Sequence, residues 1–133
     1  MWVEFPELGE RIAKAAGVPF YGGGPLTSQT IIREDGNRPI VASLRAHGTG
    51  KNLTMFSRML FVNLPADGAA FEQVIGRMHR QGQMADEVEV ELYQHTPELI
   101  RSVRKAREFA RFIEQTEGTP QKLCFAAYDW AAI

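Results

Sequence analysis

The 133-residue chain lacks the features that define several specialised classes of protein. Its only cysteine is Cys124, which excludes an internal disulfide and suits a reducing compartment. The 15 basic and 16 acidic side chains leave a net charge of −1, so no bulk attraction to polyanions is expected. Apolar runs of only a few residues exclude a signal peptide and a membrane span. We therefore expect an intracellular protein, in the cytoplasm or the nucleus, with no membrane partner.

The sequence also lacks the signatures with which an ATPase holds its nucleotide. Gly50-Lys51 resembles the end of a P-loop, but Arg45 stands where a glycine is required and Asn52 where Ser or Thr is required. No acidic Walker B motif follows an apolar strand. The three histidines lie far apart in the sequence, so no metal site is predicted. We expect the chain alone to be inert as an ATPase.

Strand and helix patterns alternate about five times along the chain. Apolar runs predict strands buried on both faces at 39–44 and 59–64, and the alternation with glutamates at 88–92 predicts a strand near a sheet edge. Further strands are predicted at 2–5 and 18–21. The predicted helices are Pro6 to Gly17, a short helix capped by Thr27 or Ser28, about Ala69 to Arg80, and Pro97 to about Thr116.

This alternation predicts one α/β domain over residues 1–133, with a mostly parallel sheet flanked by helices on both faces. The part from about residue 97 to 133 is expected to form a helical extension packed on that domain. No repeat, low-complexity tract or linker divides the chain.

The predicted helix 69–80 carries a group of polar residues at helical spacing. Gln73, Arg77 and Arg80 are separated by four and three residues, which places them within an arc of about 60° on one face. Gly76 removes a side chain beside them, and Gly82 allows a sharp turn afterwards. Two guanidinium groups one turn apart can converge on a phosphoryl group and stabilise its charge. The alternative is an ordinary solvated helix face.

A glycine-rich loop follows the predicted strand 39–44, so it lies at the carboxyl end of that strand, where open α/β sheets bind ligands. Glycines let backbone N–H groups approach phosphates. The polar and glycine residues of this segment are Ser43, Gly48, Thr49, Gly50, Asn52 and Thr54.

Taken together, the two segments resemble motifs V and VI of superfamily 2 helicases. The resemblance rests on Gly48-Thr49-Gly50-Lys51-Asn52-Leu53-Thr54, on Asn63-Leu64-Pro65, and on Gln73, Gly76-Arg77, Arg80 and Gly82-Gln83. The ending Arg80-Gln81-Gly82-Gln83 is most similar to the Swi/Snf-type branch, and the likeness spans about residues 1 to 96. Lys51 and Gln81 depart from the residues usual at those positions, which leaves the branch open.

The resemblance implies the second RecA-like domain of a helicase or translocase, with the three-layer fold of P-loop NTPases. Arg77 and Arg80 would then be arginine fingers, with Gln73, Gly50 and Gly76 beside the nucleotide. The backbone of DNA or RNA would contact Ser43, Gly48, Thr49, Asn52 and Thr54. ATP with Mg²⁺ would be held mainly by a first RecA-like domain, in cis or in trans.

Several alternatives stay open at this point. The chain is either a piece of a longer helicase or a short protein that acts on a separate first domain, and Met1 directly before the first strand favours the second. A helicase-derived module that binds nucleic acid or regulates without catalysis is a rival function. A third reading is a stand-alone enzyme that binds phosphate or nucleotide.

Overall fold

Five short parallel strands and five helices make up the described part of the chain. The computed structural model describes residues 1–48, 52–63, 68–76, 78–79, 81–94 and 96–121. The strands are β1 (Trp2–Val3), β2 (Phe20–Tyr21), β3 (Val41–Ser43), β4 (Arg58–Phe61) and β5 (Glu89–Leu92). The helices are α1 (Pro6–Ala16), α2 (Pro25–Ile31), α3 (Leu44–His47), α4 (Gly68–Gly76) and α5 (Pro97–Glu117).

The strands form one sheet in the order β2-β3-β1-β4-β5, and every pairing is parallel. After β1 the chain crosses the position of β3 and forms β2. It then moves back in the opposite direction, forming β3 beside β1, crossing β1 to form β4, and ending with β5. Because crossovers between parallel strands are right-handed, this reversal places α1 on one face of the sheet and α2 and α4 on the other. The α/β fold with helices on both faces is therefore confirmed, and the sheet is consistent with a three-layer RecA-like fold.

Alternate strand residues supply the two layers of the core. Val3 and Val41 point to the face covered by α1, where they pack with Ala13. Trp2, Ala42 and Phe61 point to the opposite face, into the larger cluster. That cluster also holds buried side chains of α2, α4 and α5, namely Ile31, Phe71, Val74, Ile75, Val103 and Ala110.

The longer helices begin and end where the sequence predicts. In α1, Pro6 occupies the first turn, and Gly17 closes the helix in the left-handed conformation at φ 69°. In α5, the Thr96 hydroxyl accepts a hydrogen bond from the Leu99 N–H, and Gly118 closes the helix, also at φ 69°. α5 runs from Pro97 to Glu117 and packs against α4. Residues 122–133 of the predicted extension lie outside the described residues.

Several element boundaries differ from the prediction. α4 ends at Gly76 rather than Arg80, although the His79 N–H still donates to the Ile75 carbonyl at 3.0 Å. α2 begins at Pro25 with Gly24 as its N-cap, and neither Thr27 nor Ser28 caps it. The one-turn helix α3 was not predicted. Each strand is shorter than its apolar run, because the sheet pairs only two to four residues of each strand.

β5 forms an edge of the sheet, as the alternation of its residues predicts. Its exposed glutamates Glu89 and Glu91 both bind Arg58 of β4, at 2.9 and 3.2 Å. Within the described ranges, no helix is long and apolar enough to cross a membrane.

Candidate functional site

α4 separates the polar and apolar residues of its segment as the helical spacing predicts. Phe71 and Val74 are buried against the sheet, whereas Gln73 is exposed. Among the described residues, a methyl group added at Gly76 would meet no heavy atom within 4 Å. Arg77 and Arg80, the predicted arginine fingers, lie outside the described residues.

The residues directly after β3 form the one-turn helix α3. Ser43 is only 4% exposed, and its hydroxyl accepts a hydrogen bond from the Ala46 N–H, which makes Ser43 the N-cap of α3. The Gly48 N–H closes α3 by donating to the Leu44 carbonyl at 2.9 Å. Of the predicted contacts to nucleic acid and nucleotide, Thr49 and Gly50 lie outside the described residues.

Gly48 brings this turn directly against α4. A Cβ at Gly48 would lie 3.2 Å from Val74 Cγ2 and 2.5 Å from the Leu44 carbonyl oxygen. The φ of Gly48 is −68°, which any residue can adopt. It is therefore the close approach, and not the backbone conformation, that requires glycine here. The glycine that opens the motif V-like segment therefore packs on the helix that opens the motif VI-like segment.

The same two segments meet again further along. Asn52 is exposed, and its side-chain oxygen accepts a hydrogen bond from the Thr54 N–H at 3.4 Å. Gly82 adopts φ 101° and sits so that a Cβ would lie 3.7 Å from Thr54 Oγ1. These three residues line an open depression of about 780 Å³ together with Ser28, Ile32, Met55 and Met84.

Gln83 provides a third link, one that the sequence did not reveal. Its side-chain amide donates to the carbonyl oxygen of Phe56 at 2.7 Å and to that of Met78 at 3.1 Å. Its side-chain oxygen accepts from the Ala85 N–H at 3.1 Å. The approach of Gly48 to Val74 and the hydrogen bond of Gln83 to Phe56 follow the same order in both segments, so the described parts of the two segments lie side by side.

Topology points to the carboxyl end of β1 as a ligand-binding crevice, because the connections after β1 and β4 leave in opposite directions. There the Glu4 N–H donates to Asn63 Oδ1 at 3.3 Å, which joins the ends of β1 and β4. Phe5, the next residue, is 54% exposed. Glu4 and Phe5 were not predicted as site residues; the signal that the sequence offered was an aromatic residue at the carboxyl end of the first predicted strand.

A polar cluster fixes the end of β2. The Tyr21 hydroxyl donates to the Glu34 carboxylate, and Arg38 binds both Glu34 oxygens at 2.8 and 3.2 Å. The Arg38 guanidinium holds the pKa of Glu34 below its ordinary value. Burial, followed by the hydrogen bond to Glu34, raises the pKa of Tyr21.

Comparison of the sequence with protein-family models and with curated proteins finds no match. In the part of the chain that the structure describes, no group of three or more His, Cys, Asp or Glu side chains could hold a metal ion.

Proposed function

We propose that the chain is the second motor domain of an ATP-dependent helicase or translocase, of the Swi/Snf type. It would complete the active site of a separate domain that holds ATP and Mg²⁺. In this proposal Arg77 and Arg80 stabilise the charge on the transferring γ-phosphoryl group. The segment around Asn52 and Thr54 contacts the backbone of the nucleic acid.

The observation that carries the proposal is the side-by-side course of the two segments. Their likeness to motifs V and VI is a matter of sequence, and the fold need not have joined them. The close approach of Gly48 to Val74 and the hydrogen bond from the Gln83 side chain to the Phe56 carbonyl do join them. A segment that touches nucleic acid is thereby coupled to the helix that precedes the arginines, as a motor requires.

Two features of the described residues of α4 support a role for this helix in binding the nucleotide. Gln73 is exposed, and a Cβ at Gly76, one residue before the first arginine, would meet no described residue within 4 Å. With a Walker A and a Walker B motif absent from the sequence, the nucleotide would have to be held by another domain.

The test mixes this chain with the product of a neighbouring gene that encodes Walker A and B motifs, in the presence of ATP, Mg²⁺ and either DNA or RNA. Stimulated ATP hydrolysis is expected, and Arg80→Ala should reduce it by about a hundredfold or more because a finger supplies three to five decades in rate. Arg111→Ala is the matched control, since this exposed arginine lies on α5. Equal stimulation by wild type and Arg80→Ala would refute the finger role.

The rival function predicts a different outcome of the same experiment. A non-catalytic module would bind the DNA or RNA without stimulating ATP hydrolysis, and Arg80→Ala would then change nothing but nucleic-acid affinity.

A further inference from the structure

His47 is a fully buried polar residue that directly precedes Gly48 of the candidate site. Its relative exposure is 0%, and within the described residues it shares the class of buried polar side chains only with Ser43 and Gln121. It ends α3, and the next residue is Gly48, which contacts α4. A buried imidazole in this place calls for a specific role.

Two neighbours from the end of β2 fix the orientation of the imidazole ring. Nε2 lies 2.8 Å from the Gly22 carbonyl oxygen. Because a carbonyl oxygen only accepts, Nε2 carries the hydrogen and donates it. The Tyr21 ring meets the imidazole edge-on, at 6.5 Å between centroids and 89° between planes.

Tyr21 is itself held in place by hydrogen bonds, so its ring contacts His47 in a fixed orientation. Its hydroxyl donates to Glu34, whose side chain is 5% exposed and bound by both ends of the Arg38 fork. The ring of His47 thus packs against the end of β2, where Glu34 and Arg38 hold Tyr21 in place.

The position of the His47 ring affects the candidate site through the next residue, Gly48. Gly48 follows His47 and packs at close range on Val74, the residue after Gln73. A shift of the ring away from Gly22 would move Gly48 relative to α4, and interiors packed this closely transmit such shifts.

We propose that His47 is a positioning residue of the motor site: by donating to Gly22 it sets the position of Gly48 relative to α4. This inference rests on the proposed function. It assigns no contact with ATP or nucleic acid to the imidazole, which acts through Gly48.

Three substitutions separate the donor from the bulk of the side chain. His47→Gln can carry an amide N–H to about the position of Nε2, His47→Leu fills similar space without a donor, and His47→Asn is polar but too short to reach Gly22. Thermal melting identifies the variants that fold. If His47→Leu does not fold, His47→Asn serves as the variant that lacks the contact.

The first readout is ATP hydrolysis by the nucleotide-holding domain, with ATP, Mg²⁺ and DNA. The Leu or Asn variant should lower kcat by about tenfold, with KM for ATP within about twofold, because the partner holds the nucleotide. His47→Gln should restore kcat to within about threefold of wild type. Folded variants that all match wild type, or that all lose activity to the same extent, would overturn the positioning role.

The second readout needs no partner and separates this inference from the proposed function. The Gly48 N–H, which donates to Leu44, should exchange with solvent about tenfold faster in the Leu or Asn variant than in wild type or His47→Gln. This pattern without any stimulated hydrolysis by wild type would uphold the positioning by His47 while refuting the motor function. Unchanged exchange in every variant would refute the positioning itself.

Discussion

The side-chain amide of Gln83 donates to the backbone carbonyl of Phe56 at 2.7 Å, and the same nitrogen reaches the Met78 carbonyl at 3.1 Å. One side chain therefore ties the end of the motif VI-like segment both to Met78 within the same segment and to Phe56, which follows Thr54. Such a link uses donors that an apolar residue cannot replace, and it yields a direct prediction.

Gln83→Leu is expected to lower the free energy of unfolding by about 1–2 kcal/mol, because two partly buried carbonyl groups lose their donor. Urea unfolding followed by circular dichroism measures the change. Gln115→Leu, at an exposed position of α5, is the matched control and should change stability by less than about 0.5 kcal/mol. If both variants unfold at the same urea concentration, the Gln83 link contributes nothing to stability.

Two glycine substitutions distinguish close packing from open space. Gly48→Ala should destabilise the protein by about 1–3 kcal/mol, because the new methyl group would overlap the Leu44 carbonyl and crowd Val74. Gly76→Ala should not destabilise the protein by more than about 0.5 kcal/mol, since no described residue lies within 4 Å of the added Cβ and alanine favours a helix.

The Gly76→Ala variant also tests the nucleotide site. If the open space at Gly76 receives part of the nucleotide, the variant should fold normally and yet lose about tenfold in partner-stimulated ATP hydrolysis. Thermal melting and hydrolysis rates measured on the same preparation check both halves. Full activity would show that this space is not used.

Local patterns in the sequence were sufficient to predict the fold class. The buried strands β3 and β4, the edge strand β5, and the caps of α1 and α5 all depend on residues that are neighbours in the chain, such as Gly17 and Thr96. Hydrophobic periodicity and helix capping depend only on such neighbours, so the sequence alone is enough to recognise them.

The links within the candidate site could not be predicted in the same way. Gln83 and Phe56 are 27 residues apart, and the contact of His47 with Gly22 spans 25 residues. Which distant residues meet is decided by tertiary packing, which no local pattern encodes. The burial of Ser43, which was predicted to contact nucleic acid, also results from tertiary packing. Its role as the cap of α3 is local, because the hydrogen bond joins residues only three positions apart.

The Glu34 cluster predicts a specific response to acid. The folded-state pKa of Glu34 is lower than the ordinary 4.5. The ionised Glu34 therefore stabilises the fold above pH 4.5, and this stabilisation is lost as the pH falls through the lowered pKa. Glu34→Gln should cost about 1 kcal/mol at pH 7, a figure reduced because the partner Arg38 is 60% exposed. The stabilities of the two proteins should converge in strong acid.

Unfolding by urea across the acid range measures this convergence. Glu98→Gln is the control, because Glu98 pairs with Arg101 on the surface, where both side chains are well exposed, and its loss should have almost no effect. A constant difference between wild type and Glu34→Gln at all pH values would contradict the assignment.

Asn52 allows the contact with nucleic acid to be tested without disturbing the fold. Its side-chain oxygen accepts from the Thr54 N–H, and an aspartate keeps that acceptor while adding a negative charge. If the Asn52 segment lies against phosphates, Asn52→Asp should weaken binding of labelled DNA about fivefold, the effect of about 1 kcal/mol of repulsion. The loss should shrink at high salt, where charges are screened. Asn37→Asp makes the same change of net charge in the turn before β3, outside the depression that Asn52 lines, and fluorescence anisotropy should show it binding as wild type. Equal losses in the two variants would mean that net charge rather than local contact governs binding, and no loss in either would remove Asn52 from the interface.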